Sequence, residues 1–403
     1  MILLTWNCQG VGRTLTTQAL GDIVRKNRPS IFFLMETKNN KVLQETIRRR
    51  LGFDFSNYVD LIGLSGGLAL WWKNEVEIDI EASTKNIVHT VISEKAFSHV
   101  WAASFIYGSP SREGRDQVWE EIKCIGCSES LPWLCIGDFN EVLSTSDKVG
   151  GSIPNPRRLS SFHEMLTTCG LVDLGFKGPR FTWRNNRLGR DLIMERLDMA
   201  FANDKWRELY DQAIVLVEAA IGSDHNPLIL NTSFPLKKVR KPFRFESFWT
   251  TEESCKLVIT KAWEAFYEGS GLSKVCKKLR GCKEKLNVWH QQNFGDFRLQ
   301  IATLKDRLVH IQEQQVFGFN PVCMAEEKII KSKLEDLWQK DAMYWHQRSR
   351  IKWLQMGDKN SRFFYLSTIH RRQRNQIVKL KDAAGNWKME ETDISGAEQM
   401  AEA

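Results

Sequence analysis

Nowhere in these 403 residues do apolar side chains run together for the roughly 18 positions that crossing a bilayer takes. The N-terminus has neither a basic n-region nor a small-residue cleavage site, since Met1 leads straight into Ile2-Leu3-Leu4-Thr5-Trp6. Together these absences argue against a membrane-spanning or exported protein, and the chain reads as intracellular. A cysteine framework for zinc is missing too. Of nine Cys only Cys124 and Cys127 form a CxxC, with no second pair or His partner at zinc spacing, so the thiols read as buried and reduced. No internal repeat is visible. Residues 1–233 also lack a net charge of either sign, with 26 Lys and Arg against 28 Asp and Glu, whereas residues 234–403 carry 31 against 21. That asymmetry points to a polyanion partner for the second part, or to a solvated charged helix face.

What is present over residues 1–233 is an alternation of short strand-like runs with helix-period stretches. The strands expected are Ile31–Met35, 67–72, 86–92, 100–107, 133–137, 215–217 and 228–231, and the helices 14–26, 41–51, 111–127 and 157–169, with Ser111 as an N-cap. Such alternation builds a layered α/β core. The length itself suggests two or three domains. Two prolines and four cations in 234–242 read as a linker, placed at 234–246. Beyond it, in 247–403, helix formers dominate. Ile301, Leu304, Leu308 and Ile311, then Ile330, Leu334 and Leu337, repeat at coiled-coil spacing, which predicts an antiparallel helical hairpin. Residues 348–381 hold ten Lys and Arg against one acid, Asp358, interleaved with Trp353, Phe363, Phe364 and Tyr365. Backbone neutralisation plus base stacking requires this pattern, and a basic helix packing its aromatics into a core would show it too.

Five polar motifs end or follow apolar runs: Trp6-Asn7, Glu36-Thr37, Gly137-Asp138-Phe139-Asn140, Arg196-Leu197-Asp198 and Ser223-Asp224-His225-Asn226. Phosphodiester hydrolysis needs a cation on the phosphate, a base for the water and donors aimed at developing charge. Glu36 offers the hard oxygen that Mg²⁺ prefers, with the neutral oxygen of Asn7 beside it. Asp138 and Asn140, two apart, would share one side of an extended segment, Asp138 as general base and Asn140 as positioner of the water. An Asx-turn would satisfy the same sequence. His225 next to Asp224, with Asp198 to orient its ring, would stay protonated and stabilise a pentacoordinate phosphate. Standing alone it would read as a satisfied structural histidine. Arg184, Arg187 and Arg190 lie on an expected β-hairpin between Trp183 and Leu197, which reads as a DNA-contacting or a merely solvated hairpin.

Taken in order, Trp6-Asn7, Glu36-Thr37, Tyr107, Gly137-Asp138-Phe139-Asn140, Arg196-Leu197-Asp198 and Ser223-Asp224-His225 resemble the endonuclease/exonuclease/phosphatase superfamily. The resemblance covers residues 1 to about 233. It implies a four-layer α/β sandwich with two packed mixed sheets, here followed by an all-α basic tail, and phosphoester cleavage dependent on Mg²⁺ or Mn²⁺. By motif match Asn7 and Glu36 would serve the metal, Asp138 the water, Tyr107 and Asn140 the phosphate. Asp198 would orient His225, and Asp224 would lie beside metal and phosphate. Within the superfamily the chain is similar to plant LINE-type (non-LTR) retrotransposon endonucleases, through Leu4–Gly10, Met35–Lys38, Tyr107–Pro110, Gly137–Glu141, Phe181–Trp183 and Glu195–Asp198. Lys352–Phe364 looks like the connector before the reverse transcriptase of such elements. No Tyr-x-Asp-Asp polymerase motif follows, so the chain looks truncated before that enzyme. Gln9 stands where many repair-type relatives have Asp, and Pro110 where others have Asn.

The resemblance implies an endonuclease nicking one strand of double-stranded DNA to leave a 3′-hydroxyl primer, with the arginine hairpin sensing the minor groove, RNA as a further partner of the tail, no membrane contact, and a nuclear location if the target is genomic. The alternatives are a phosphatase of the same superfamily and an inactive remnant that binds nucleic acid through its tail.

Overall fold

A computed structural model describes residues 1–60, 66–95, 99–233, 243–294, 297–315 and 321–349, with 365, 367–369, 371, 380–381 and 387–388. It divides into two compact units, Met1–Leu236 with Arg372–Ala403, and Lys237–Arg371.

Two six-stranded mixed sheets make the first unit. One contains β1 (Ile2–Asn7), β2 (Ile31–Met35), β3 (Phe55–Val59), β4 (Leu68–Trp72), β14 (Ile214–Val217) and β15 (Leu228–Asn231), in the order β14-β15-β1-β2-β4-β3. The other contains β5 (Val76–Ser83), β6 (Ile87–Glu94), β7 (His99–Tyr107), β8 (Trp133–Asp138), β10 (Val172–Asp173) and β13 (Asp198–Ala202), in the order β10-β13-β8-β7-β6-β5. Each sheet has one central parallel pair, β1 with β2 and β7 with β8, flanked by antiparallel neighbours. A three-stranded sheet adds β9 (Lys148–Val149), β11 (Trp183–Arg184) and β12 (Met194–Glu195).

The period of two along the central strands explains the layering. Ile31, Phe33 and Met35 of β2 meet Trp101, Ala103, Phe105, Leu134 and Ile136 of the other sheet in a core between the sheets. The alternate residues Phe32 and Leu34 face outward and join Leu20 and Val24 of α1 (Thr14–Asn27) and Ile47 of α2 (Lys41–Arg50). On the other outer face Trp133 and Cys135 pack on Val118, Trp119 and Ile122 of α3 (Arg112–Ser128) and Phe162 and Met165 of α4 (Pro156–Thr168). Helix, sheet, sheet, helix is the four-layer sandwich expected. Strands covered on both faces read as continuous apolar runs, which is why β2 stood out in the sequence. Ser111 caps α3 as expected, accepting from Gly114 N–H, and Asn155 caps α4 ahead of Pro156.

The cysteines are not all buried, contrary to what their sequence context suggests. All nine cysteines are free, yet Cys124, Cys127 and Cys276 are exposed. The inward stripe of α3 is Val118, Trp119 and Ile122, which turns the CxxC toward solvent.

A short helix α5 (Asp204–Leu209) completes the first unit's helices, and the second unit is helical, with α6 (Glu253–Glu264), α7 (Gly271–Asn293), α8 (Phe297–Gln315) and α9 (Pro321–Ser349). Phe248, Trp249, Cys255, Leu286 and Trp289 form one cluster. Of the seven coiled-coil positions, Ile301, Leu304, Leu308, Ile311, Ile330 and Leu334 form another across α8 and α9, joined by Cys323, while the half-buried Leu337 is not part of it. Most of the linker and most of residues 348–381 lie outside the described residues. Leu380–Lys381 and Trp387–Lys388 pair as a short antiparallel ladder within a region expected to be all helical. Among the described residues no helix is long and apolar enough to cross a membrane.

Candidate active site

Strand parity positions the site. Asn7 shares its face of β1 with Leu3, Tyr107 its face of β7 with Phe105, and Asp138 its face of β8 with Leu134 and Ile136, so all three point between the sheets at the carboxyl ends of their strands. Glu36 directly follows β2, Asp198 opens β13 opposite Asp138, and His225 precedes β15.

The side chains form one hydrogen-bonded network. Asn7 Nδ2 donates to Glu36 Oε1 and to Asp138 Oδ2, each at 3.0 Å, joining the two sheets through one amide, and lies 3.5 Å from His225 Nε2. Flipping that amide would aim its oxygen at two carboxylates, so the assignment follows from charge. Tyr107 OH also donates to Glu36 Oε1, at 3.0 Å, while Lys38 Nζ pairs with Oε2 at 2.7 Å. His225 Nδ1 is 2.9 Å from Asp198 Oδ2 and 3.8 Å from Asp138 Oδ2. Asn7 Oδ1 is buried and has no hydrogen-bond partner. The donor atoms of Asp138, Asp198 and His225 all lie within 4.8 Å of one another, a group that could hold a metal ion.

Burial sets the electrostatics. Asp138 is fully buried, and loss of solvation, reinforced by Asp198 and opposed by His225, pushes its carboxyl up to about 7. Burial pulls His225 down, but the charges of Asp198 and Asp138 and the Asp198 hydrogen bond outweigh it and raise the ring to about 10. Burial, then the charges of Glu36 and Asp138, raises Tyr107, which stays a neutral donor. For Glu36, burial raises the carboxyl while bonds from Lys38, Asn7 and Tyr107 lower it, and the net direction is down.

Asn140 reaches the site by a different route from the one its spacing suggests. Its φ of 52° is left-handed rather than extended, and its N–H donates to Asp138 Oδ1 at 2.9 Å, which is the Asx-type turn. The turn still brings Asn140 Nδ2 within 3.3 Å of Asp138 Oδ2 and 2.7 Å of the Gly108 carbonyl. Gly137, at φ 146°, makes the close packing possible, because a Cβ there would overlap the Ile106 carbonyl.

Asp224 is half-buried and accepts from Trp183 Nε1 at 2.9 Å. The exposed Arg184, Arg187 and Arg190 sit on the β11–β12 hairpin, tied to the site where Arg184 N–H donates to the Asp224 carbonyl at 3.2 Å. Arg196 is instead structural, paired through both terminal nitrogens with Asp173 at 2.8 Å. Three contributors went unassigned in the sequence. Thr182 Oγ1 accepts from the N–H groups of Leu197 and Asp198 and so fixes the start of β13, Trp183 holds Asp224, and Lys38 holds Glu36. Their signal was adjacency to the motifs, in Phe181-Thr182-Trp183 and Glu36-Thr37-Lys38.

A sequence model of the Endonuclease/Exonuclease/phosphatase family matches residues 4–225. No curated protein matches the chain. Several solved structures are similar. The endonuclease domain of TRAS1, a telomere-specific non-LTR retrotransposon, is 19% identical over 59% of this chain and 99% of its own, with a TM-score of 0.44. The 3′-5′ exonuclease NExo from Neisseria meningitidis is 16% identical over 57% and 99%, with a TM-score of 0.43. An AP endonuclease from Archaeoglobus fulgidus is 16% identical over 57% and 98%, with a TM-score of 0.46.

Proposed function

The chain belongs to the endonuclease/exonuclease/phosphatase family, and from that premise we propose that it is a Mg²⁺-dependent DNA endonuclease that nicks one strand and leaves a 3′-hydroxyl able to prime reverse transcription. The observation that carries the reading is the Asn7 amide, which draws the carboxylates of Glu36 and Asp138 from separate sheets to one point. The words shared with LINE-type endonucleases support the choice of DNA.

The residues fit a divalent metal. Asn7 Oδ1 is a buried acceptor lacking a donor, and Glu36 adds a carboxylate beside it. We assign the metal to these two rather than to the Asp138, Asp198 and His225 group, because Asn7 Oδ1 is a buried acceptor left without a donor whereas Asp198 and His225 already bond each other at 2.9 Å. Mg²⁺ or Mn²⁺ held there neutralises phosphate charge and polarises the phosphorus–oxygen bond.

Asp138, with its raised carboxyl, takes a proton from the attacking water near neutral pH, and Asn140 positions that water. His225, kept cationic by Asp198, donates to the phosphate oxygens as charge builds on them. Tyr107 orients Glu36 with its single O–H, and its phenol oxygen would lie on the phosphate side. Asp224, held by Trp183, flanks the metal and the phosphate. The departing group is the 3′ oxygen. Arg184, Arg187 and Arg190 contact the duplex backbone, and the cation excess of residues 234–403 supports a second polyanion contact, to RNA.

Nicking of supercoiled plasmid by the full chain tests this. Wild type yields open circles with Mg²⁺ and none with EDTA, and Asp138→Asn and His225→Ala each slow the reaction by about 10²–10⁴-fold while keeping the wild-type fold. A folded wild-type protein that nicks no DNA sinks the endonuclease. Hydrolysis of small phosphoesters would then point to a phosphatase, and DNA binding without cleavage to an inactive remnant.

A further inference from the structure

Every oxygen of Glu36 has a donor. Oε1 takes Asn7 Nδ2 and Tyr107 OH, each at 3.0 Å, and Oε2 takes the Lys38 ammonium at 2.7 Å. The first two donors come from buried residues on two sheets, whereas the Lys38 side chain is 34% exposed and that of Glu36 only 15%. The pair is held by backbone rather than by chance. Glu36 and Lys38 both adopt left-handed φ, 50° and 48°, conformations unfavourable for side-chain-bearing residues. Neighbouring loops pin them there: Gly10 N–H donates to the Glu36 carbonyl at 2.8 Å, Val11 N–H to the Thr37 carbonyl at 3.0 Å, and Thr37 N–H to the Gly67 carbonyl at 3.1 Å. The turn therefore presents the ammonium to the one carboxylate oxygen without a deeply buried donor.

Building on the assignment of Glu36 and Asn7 to the metal, we propose that Lys38 is a tethered cation occupying the metal-facing oxygen of Glu36, so that a divalent ion binds only by exchange with it. Mg²⁺ demands close oxygen ligands at about 2.0–2.1 Å. An ammonium bonded to the same oxygen both blocks that approach and repels the ion. The partly exposed lysine can leave into water, where an ammonium is well solvated, while Asn7 and Tyr107 remain to hold the carboxylate in place. Lys38 thus lowers metal affinity and keeps Glu36 neutralised between binding events.

The test is Mn²⁺ binding to the full chain, followed by calorimetry and by loss of the free-ion electron paramagnetic resonance signal, which requires no turnover. Lys38→Met binds Mn²⁺ about three- to tenfold more tightly than wild type, and the gain shrinks as salt rises from about 0.05 to 0.5 M. Lys38→Arg, which keeps the charge, stays within about twofold of wild type. Glu36→Gln loses most of the binding. Unchanged or weaker binding by Lys38→Met overturns the exchange role while leaving the metal assignment standing. Mn²⁺ binding that survives Glu36→Gln, or no binding by any of the four proteins, removes the metal assignment and the exchange role together.

Discussion

At the scale of single residues, the site combines a carboxyl raised by burial with an imidazole raised by carboxylates. In the proposed mechanism Asp138 serves as base only when ionised, so the rate should climb as pH rises through about 7 instead of near its ordinary 3.8. In the same proposal His225 serves only when protonated, so the rate should fall as pH passes about 10. A kcat/KM profile with Mg²⁺ measures both limbs, and a rising limb near pH 4 would mean that burial does not govern Asp138. Gly137→Ala should lower stability by about 3 kcal/mol, measured by thermal melting, since the new methyl meets backbone rather than a movable side chain. Sequence alone picked out Asn7, Glu36, Asp138, Asp198 and His225, because acids, amides and imidazoles that end apolar runs are conspicuous. Thr182 and Trp183 were not, since a threonine or tryptophan in a strand-like word reads as packing until its partner is seen. The left-handed Asn140 was also hidden, because Gly-Asp-Phe-Asn fits a turn and an extended strand equally well.

At the scale of elements, the carboxyl ends of both central parallel pairs meet at the site. The apolar strands β2, β4, β7 and β8 were legible as runs. The edge strand β5 was not: its exposed Glu77, Asp79 and Glu81 look like a loop, and an edge strand can afford such charges. Two-residue strands such as β9 and β10 are too short to leave a period. The β11–β12 hairpin was foreseen from its turn residues, and its function is open to measurement. Replacing Arg187 and Arg190 by Ala together should weaken binding to duplexes of every sequence alike. The slope of log affinity against log salt should shrink by about one per arginine. Loss confined to particular sequences would mean that the hairpin reads bases.

At the scale of the whole molecule, the two units have separate cores, one of stacked sheets and one of aromatic and coiled-coil helix contacts. Calorimetry of the full chain should show two transitions. Divalent metal at about 100 times its Kd should raise only that of the first unit, by about 5–10 °C. A shift of both would mean that the units melt together. The pairing of β1 with β15 also sets a timetable for synthesis. Leu3 and Leu4 lie beside Leu230 and Ile229, so one flank of β1 has no antiparallel neighbour until nearly the whole unit has left the ribosome. At about 5–20 residues per second, that apolar edge waits roughly 10–40 s after β2 has emerged. A nascent chain interrupted before Leu228 therefore leaves β1 as an open edge of its first sheet and β14 without its β15 neighbour, and survival of the unfinished protein depends on what shields that edge in the meantime.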